Sequence, residues 1–183
     1  MPHRARTLAL AGLIAFLAIP APALSAPLTG VEGIFHTVFQ QDQSSFSGIG
    51  VRVHLKSAQL IENVTITPSI QYWRNHSRLS SFDIASTRSD ARLGVDARYT
   101  FLQYGVQPWV GGGWGLHFLS NKVTAPSLGL VEAEDSVMRG GLSVGGGIST
   151  PIAGQLTNDF GIEYDMLGAQ SQLKLNFGLR YRF

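Results

Sequence analysis

The chain has 183 residues, 44% hydrophobic and 14% charged, with 14 Lys and Arg, 12 Asp and Glu, and no cysteine. Without Arg4 and Arg6, which lie in a removable N-terminal segment, twelve bases meet twelve acids, so the net charge is zero and a nucleic-acid partner has no electrostatic support. Lack of cysteine excludes a disulfide scaffold, and the length suits one domain.

Met1-Pro-His-Arg-Ala-Arg is basic, Leu8 to Ile19 is apolar, and Ala23-Leu-Ser-Ala26 is a small-residue exit. That layout predicts a secretory signal peptide. The apolar run, about twelve residues, is short of the roughly twenty a spanning helix needs. Cleavage is expected after Ala26, with Ala23 the second choice, leaving 27–183 as the mature domain. No Cys follows the signal, so a lipoprotein anchor is not expected.

Beyond residue 26 no stretch sustains a helical period. About ten alternating residues followed by turn residues recur instead, a pattern that predicts transmembrane β-strands. The first segment, Val31–Gln40, has an undecided register, because Ile34 and Val38 share a face with Glu32 and His36. In Ser47–Lys56, Ile49, Val51, Val53 and Leu55 oppose Arg52, His54 and Lys56. Val64, Ile66, Pro68, Ile70 and Tyr72 then oppose Thr65, Thr67, Ser69, Gln71 and Trp73. Pro68 cannot donate to a ladder, so a bulge is expected there.

A polar loop is expected over Arg74–Ser89. Ala91, Leu93, Val95, Ala97, Tyr99 and Phe101 follow, opposing Arg92, Gly94, Asp96, Arg98 and Thr100. After a tight turn, Pro108–Phe118 carries Val110, Trp114, Leu116 and Phe118 on one face. A second long loop, Leu119–Asp135, leads to Val137–Ser149, where Met138, Leu142, Val144 and Ile148 oppose Arg139 and Ser143. The glycines clustered in these two strands would let the sheet curve and leave room inside for Trp109 or His117. Leu156, Phe160, Ile162, Tyr164 and Met166 oppose Asp159, Glu163 and Asp165. In Ser171–Phe183 six apolar residues alternate with Lys174, Arg180, Arg182 and neutral residues, and the alternation never slips.

These segments predict an all-β, eight-stranded antiparallel up-and-down transmembrane barrel. From the second strand on, the apolar face bears no charge. The opposite face collects Arg52, Lys56, Arg92, Asp96, Arg98, Arg139, Asp159, Glu163, Asp165, Lys174, Arg180 and Arg182. Hydrocarbon imposes such segregation, since a lipid-facing Arg at mid-bilayer costs roughly 2–4 kcal/mol. Tyr72, Phe118 and Tyr164 would form one aromatic girdle, and Tyr99, Phe101, Tyr181 and Phe183 the other. A soluble lipocalin-like barrel is the alternative, with the apolar face inward. The polar face, rich in Gly, Ser and Thr, argues against it, because an outward face in water is long-chained and charge-rich.

The last strand resembles the C-terminal strand of bacterial outer-membrane β-barrels, and the whole pattern resembles small OmpA/OmpX-type and opacity-protein-like barrels. The resemblance implies that Gly178, Tyr181 and Phe183 serve as a signal for the barrel assembly machinery. It further implies outer-membrane localisation, lipid and lipopolysaccharide as surroundings, a monomer, and no cofactor. No peptidoglycan-binding domain is expected.

The inward charges are expected to pair, because an unpaired charge in a narrow lumen carries a large desolvation cost. They would form either a plug or a narrow solute path; a wide porin channel needs roughly sixteen strands. A lipid-A-modifying enzyme, deacylase or acyltransferase, is the alternative from another class. Its only local candidates are His76 and Ser77 with Asp83, and neighbouring residues point to opposite sides of a strand, poor geometry for a dyad. His36, His54 and His117 stand singly, without zinc-site spacing. A basic set, Arg74, Arg78 and Arg88, would suit lipopolysaccharide phosphates, and Glu132, Glu134 and Asp135 make the other long loop acidic.

Overall fold

The structure, a computed structural model, describes residues 27–40, 45–56, 62–79, 84–126, 130–168 and 171–183. The signal segment with its two cleavage sites, the residues 57–61 of one expected turn, and Asp83 lie outside the described residues. Eight strands follow in order: β1 Leu28–Gln40, β2 Phe46–Leu55, β3 Val64–Leu79, β4 Ile84–Thr100, β5 Gln107–Ala125, β6 Leu130–Ala153, β7 Leu156–Met166 and β8 Gln172–Arg182. Each pairs antiparallel with its sequence neighbour, and β1 pairs with β8 to close the barrel.

The alternation read from the sequence becomes an inside and an outside, since successive side chains leave a strand on opposite faces. Ile49 is 63% exposed and Met138 61%, whereas Arg92 is 2% and Lys174 1% exposed. The polarity is thus inverted relative to a soluble barrel, which corrects the lipocalin-like alternative. At about 3.4 Å per residue and a tilt of about 40°, the 11 residues of β8 rise roughly 27 Å, matching an outward apolar band of about 25 Å.

Both described termini lie at one end, where Phe183 N–H donates to the Thr29 carbonyl and Arg182 N–H to that of Gln155. We call this the terminal end; β3–β4 and β5–β6 extend from the opposite, hairpin end. At the terminal end Tyr99 stacks edge-on against Phe101 at 5.2 Å and Tyr181 against Phe183 at 5.6 Å. Tyr72, Phe118 and Tyr164 point outward toward the hairpin end.

The strands depart from the expected reading in four places. The polar residues 74–79 and 84–89 are strand, not loop: the β3–β4 ladder continues from Arg74↔Ser89 to Leu79↔Ile84. The stretch 119–135 likewise pairs β5 with β6 as far as Ala125↔Leu130. Past the apolar band both faces of a strand can be polar, so hydrophobic alternation no longer marks the strand, although its backbone pairing continues. Pro68 makes no bulge. The β2–β3 ladder skips the rungs at Thr67 and Pro68 and resumes in the same register at Leu55↔Ile66, while Pro68 still faces Val95 on β4. Finally, β1 begins at Leu28 and turns Glu32, Ile34, His36 and Val38 inward.

Gly147 of β6 and Gly161 of β7 make space for one large ring. A Cβ on Gly147 would lie 2.8 Å, and one on Gly161 2.6 Å, from the indole of Trp109. Trp109 is buried in the lumen, where the Arg98 guanidinium stands 3.8 Å from its ring centroid.

Candidate functional site: the charged lumen

Side chains from facing walls meet at the centre of an eight-stranded barrel. Arg92 of β4 holds the middle. It donates to Asp96 at 3.0 Å, Ser143 at 3.0 Å and Ser69 at 3.2 Å, and stands 3.7 Å from Glu163 and 4.0 Å from Asp165. Arg52 of β2 spans to two acids, Glu32 at 3.3 Å and Glu163 at 3.4 Å. Lys174 of β8 pairs with Asp165, donates to Gln71 at 3.0 Å and lies 3.9 Å from Glu163. Nearer the terminal end, Arg98 reaches Asp159 at 2.7 Å, and Ser149 donates to the same carboxylate at 2.6 Å.

Two buried carboxylates complete the set. Glu32 accepts from His54 Nε2 at 2.6 Å. Arg180 Nη1 lies 3.4 Å from His54 Nδ1 and can only donate, so Nδ1 accepts and the proton sits on Nε2. Asp90 sits 2.7 Å from His117 Nδ1, and Gln172 donates to it at 3.4 Å while accepting from Trp73 Nε1 at 3.3 Å. Val38, Phe46 and Trp73 form a small apolar cluster toward the hairpin end.

Of the twelve expected lumen charges, the structure brings eight into this ion-pair network: Arg52, Arg92, Asp96, Arg98, Asp159, Glu163, Asp165 and Lys174. The other four stand apart. Arg180 and Arg182 bond neutral partners near the terminal end, and Lys56 follows β2 and is exposed there. Arg139 lines the mouth at the hairpin end beside Asp135 and Arg88. Asp159, Glu163 and Asp165 of β7 lie on the strand next to Lys174, Arg180 and Arg182 of β8. Lys174 does meet two of them, but Asp159 is taken by Arg98 from the opposite wall.

Asp90 was missed because the strand was taken to begin at Ala91. Carrying the parity of Arg92, Asp96 and Arg98 back one step would have found it. Of the three singleton histidines, His54 and His117 are hydrogen-bonded, whereas both ring nitrogens of buried His36 lack a partner. Among the described residues no group of three His, Cys, Asp or Glu could hold a metal ion.

Gly178 has a local reason to be glycine. A Cβ there would collide with the Glu32 carboxylate, so the missing side chain is the seat of that acid. Tyr181 and Phe183 point outward instead. His76 and Ser77 are consecutive in β3 and leave it on opposite faces, and His76 Nδ1 lies 2.9 Å from Thr87 Oγ1. Arg74 and Arg78 share the outward face of β3 beyond Tyr72, but Arg88 lines the mouth, so the three do not form one surface.

The network fills much of the middle of the lumen. The space among Arg52, Asp96, Arg98, Trp109 and Glu163 is about 20 Å³, room for little more than one water. At the terminal end the lumen opens into a vestibule of about 280 Å³, and at the hairpin end into one of about 130 Å³.

No family model and no curated protein matches the chain. Among solved structures it is similar to Ail, the attachment invasion locus protein of Yersinia pestis: 14% identity, 85% of this chain and 97% of that one, TM-score 0.58. It is similar also to Neisserial surface protein A, at 18% identity over 85% and 96% of the two chains, TM-score 0.61. A third likeness is the outer membrane protein OprG from Pseudomonas aeruginosa, at 12% identity over 86% and 96%, TM-score 0.55. At such identities the likeness is one of architecture: the chain has the closed, eight-stranded antiparallel barrel fold of small outer-membrane proteins.

Proposed function

We propose that the mature chain is an integral protein of the bacterial outer membrane, exported by residues 1–26 and acting at the cell surface through its protruding hairpins. One observation carries this: the outside of the barrel is an uncharged belt, while its inside holds the charges. In water that arrangement would expose a continuous apolar surface far larger than a soluble monomer tolerates. In a bilayer it is what the solvent demands.

The hairpin end then faces outward from the cell, and the filled middle makes the barrel a plug rather than a pore. Gly178, Tyr181 and Phe183 would be read by the assembly machinery during insertion. Arg74 and Arg78, just beyond the aromatic row, stand where phosphates of lipopolysaccharide would lie. A non-catalytic role is supported by His76 and Ser77 leaving β3 on opposite faces, so that this His is not aligned as a base for that Ser.

Planar-bilayer recording tests the plug: the purified protein should give no stepwise conductance above the bare membrane. Regular open steps would establish a solute path. Incubation with lipopolysaccharide should leave the mass of lipid A unchanged; loss or gain of an acyl chain would identify an enzyme.

A further inference from the structure

We propose that the vestibule at the terminal end is a binding site for a phosphate-class oxyanion. Lys56, Arg180 and Arg182 all line it, and among the described residues Glu62 is the one acidic side chain that does. Residues 57–61, which adjoin it in sequence, read Ser-Ala-Gln-Leu-Ile and carry no charge to offset the excess. Arg180 and Arg182 are two apart on β8, so both enter the same mouth.

These two arginines differ from the buried cations above them. Arg52, Arg92, Arg98 and Lys174 each have a carboxylate within 4.0 Å. Arg180 has the neutral ring of His54, at 3.4 Å, and Arg182 the Gln107 side-chain oxygen, at 2.7 Å. The buried Nε of Arg180 has no partner among the described residues. A guanidinium whose donors are only partly used, beside a second one and an ammonium, is a fork waiting for an oxyanion. Lys56, Arg180 and Arg182 outnumber Glu62 and the carboxylate of Phe183, which also lines the vestibule, so the mouth stays net positive. Its paired guanidinium forks suit the several oxygens of a phosphate. The vestibule, about 280 Å³, is far larger than the roughly 10–15 Å³ one water requires, so the anion has room to enter with part of its hydration.

The occupant is either a free phosphate or phosphate ester, or the headgroup of a phospholipid at the rim. The site does not depend on which compartment this mouth faces, so its failure would leave the outer-membrane proposal untouched.

The test uses the full-length mature chain folded in detergent micelles. Inorganic phosphate is titrated while the amide signals of Arg180 and Arg182 are followed by NMR, with sodium chloride at matched ionic strength as control. A saturable shift with phosphate and none with chloride is expected. A short-chain phosphatidylglycerol forms the second arm, and saturation by it alone would assign the site to a lipid headgroup. The double variant Arg180→Gln, Arg182→Gln should weaken binding about tenfold or more, while Arg139→Gln at the other mouth leaves it unchanged. Gel migration shows whether the double variant folds; should it not, Lys56→Gln, an exposed position, must weaken binding on its own. No saturation in either arm, equal effects of chloride, or undiminished binding by the folded variant overturns the proposal.

Discussion

Replacing Arg92 by Met is expected to lower the free energy of unfolding by about 3–5 kcal/mol, the usual consequence of removing one partner from a buried ionic cluster. The size follows from what is left behind. Asp96, Glu163 and Asp165 would lose a shared cation, and Ser69 and Ser143 would each lose a donor. Met fills much of the vacated volume but satisfies none of those oxygens. Arg139→Met at the half-exposed mouth should cost less than about 1 kcal/mol, since water there solvates whatever it leaves behind, Asp135 included. Adding Asp96→Asn to Arg92→Met should restore part of the loss, because Arg92 is the cation that Asp96 pairs with and its removal strands that charge, and the double-mutant cycle measures the coupling. Urea titration in lipid vesicles, read by the faster gel migration of the folded form, gives each value. If Arg92→Met proves neutral, water already solvates the middle of the barrel, and the lumen is a channel.

Val95→Arg should cost about 2–4 kcal/mol in the same assay, because Val95 stands outward in the middle of the belt. Its outward neighbours in the sheet are Pro68, Trp114 and, one strand further, Leu142, so no acid is at hand to receive the guanidinium. Ser120→Arg, one outward position beyond Phe118, should cost only about 0–1 kcal/mol, since the penalty falls away toward the interface. A soluble barrel would show no such depth dependence: both substitutions would be nearly silent at a water-facing surface.

Most of the barrel was legible because one physical quantity, apolar alternation, marks every residue between the two membrane interfaces. The seven later strands, the uncharged exterior and the closed eight-strand order all follow from it. It fails where its cause is missing. Beyond the band, Arg74 to Leu79 and Leu119 to Ala125 pair as strands with no hydrocarbon to sort their faces. In β1, Ile34 and Val38 turn inward and blur the pattern, and pairing with β2 and β8 fixes the register instead. The membership of the charged face was visible, but its partnerships were not. Arg52 and Glu163 are 111 residues apart and Arg98 and Asp159 are 61 apart, and they meet only because facing walls of a narrow barrel bring long side chains to its axis. Gly178 shows the reverse: its spacing to Tyr181 and Phe183 was plain, yet that it seats Glu32 emerges only from the β1–β8 contact.

Nitroxide labels on Val95 and Leu175, with the barrel reconstituted in lipid vesicles, address the membrane assignment most directly. Both labels should be relaxed strongly by oxygen, which concentrates in hydrocarbon, and weakly by a water-soluble nickel chelate. Relaxation dominated by the chelate at both sites would mean that water, not lipid, surrounds the uncharged face, and the outer-membrane assignment would be wrong.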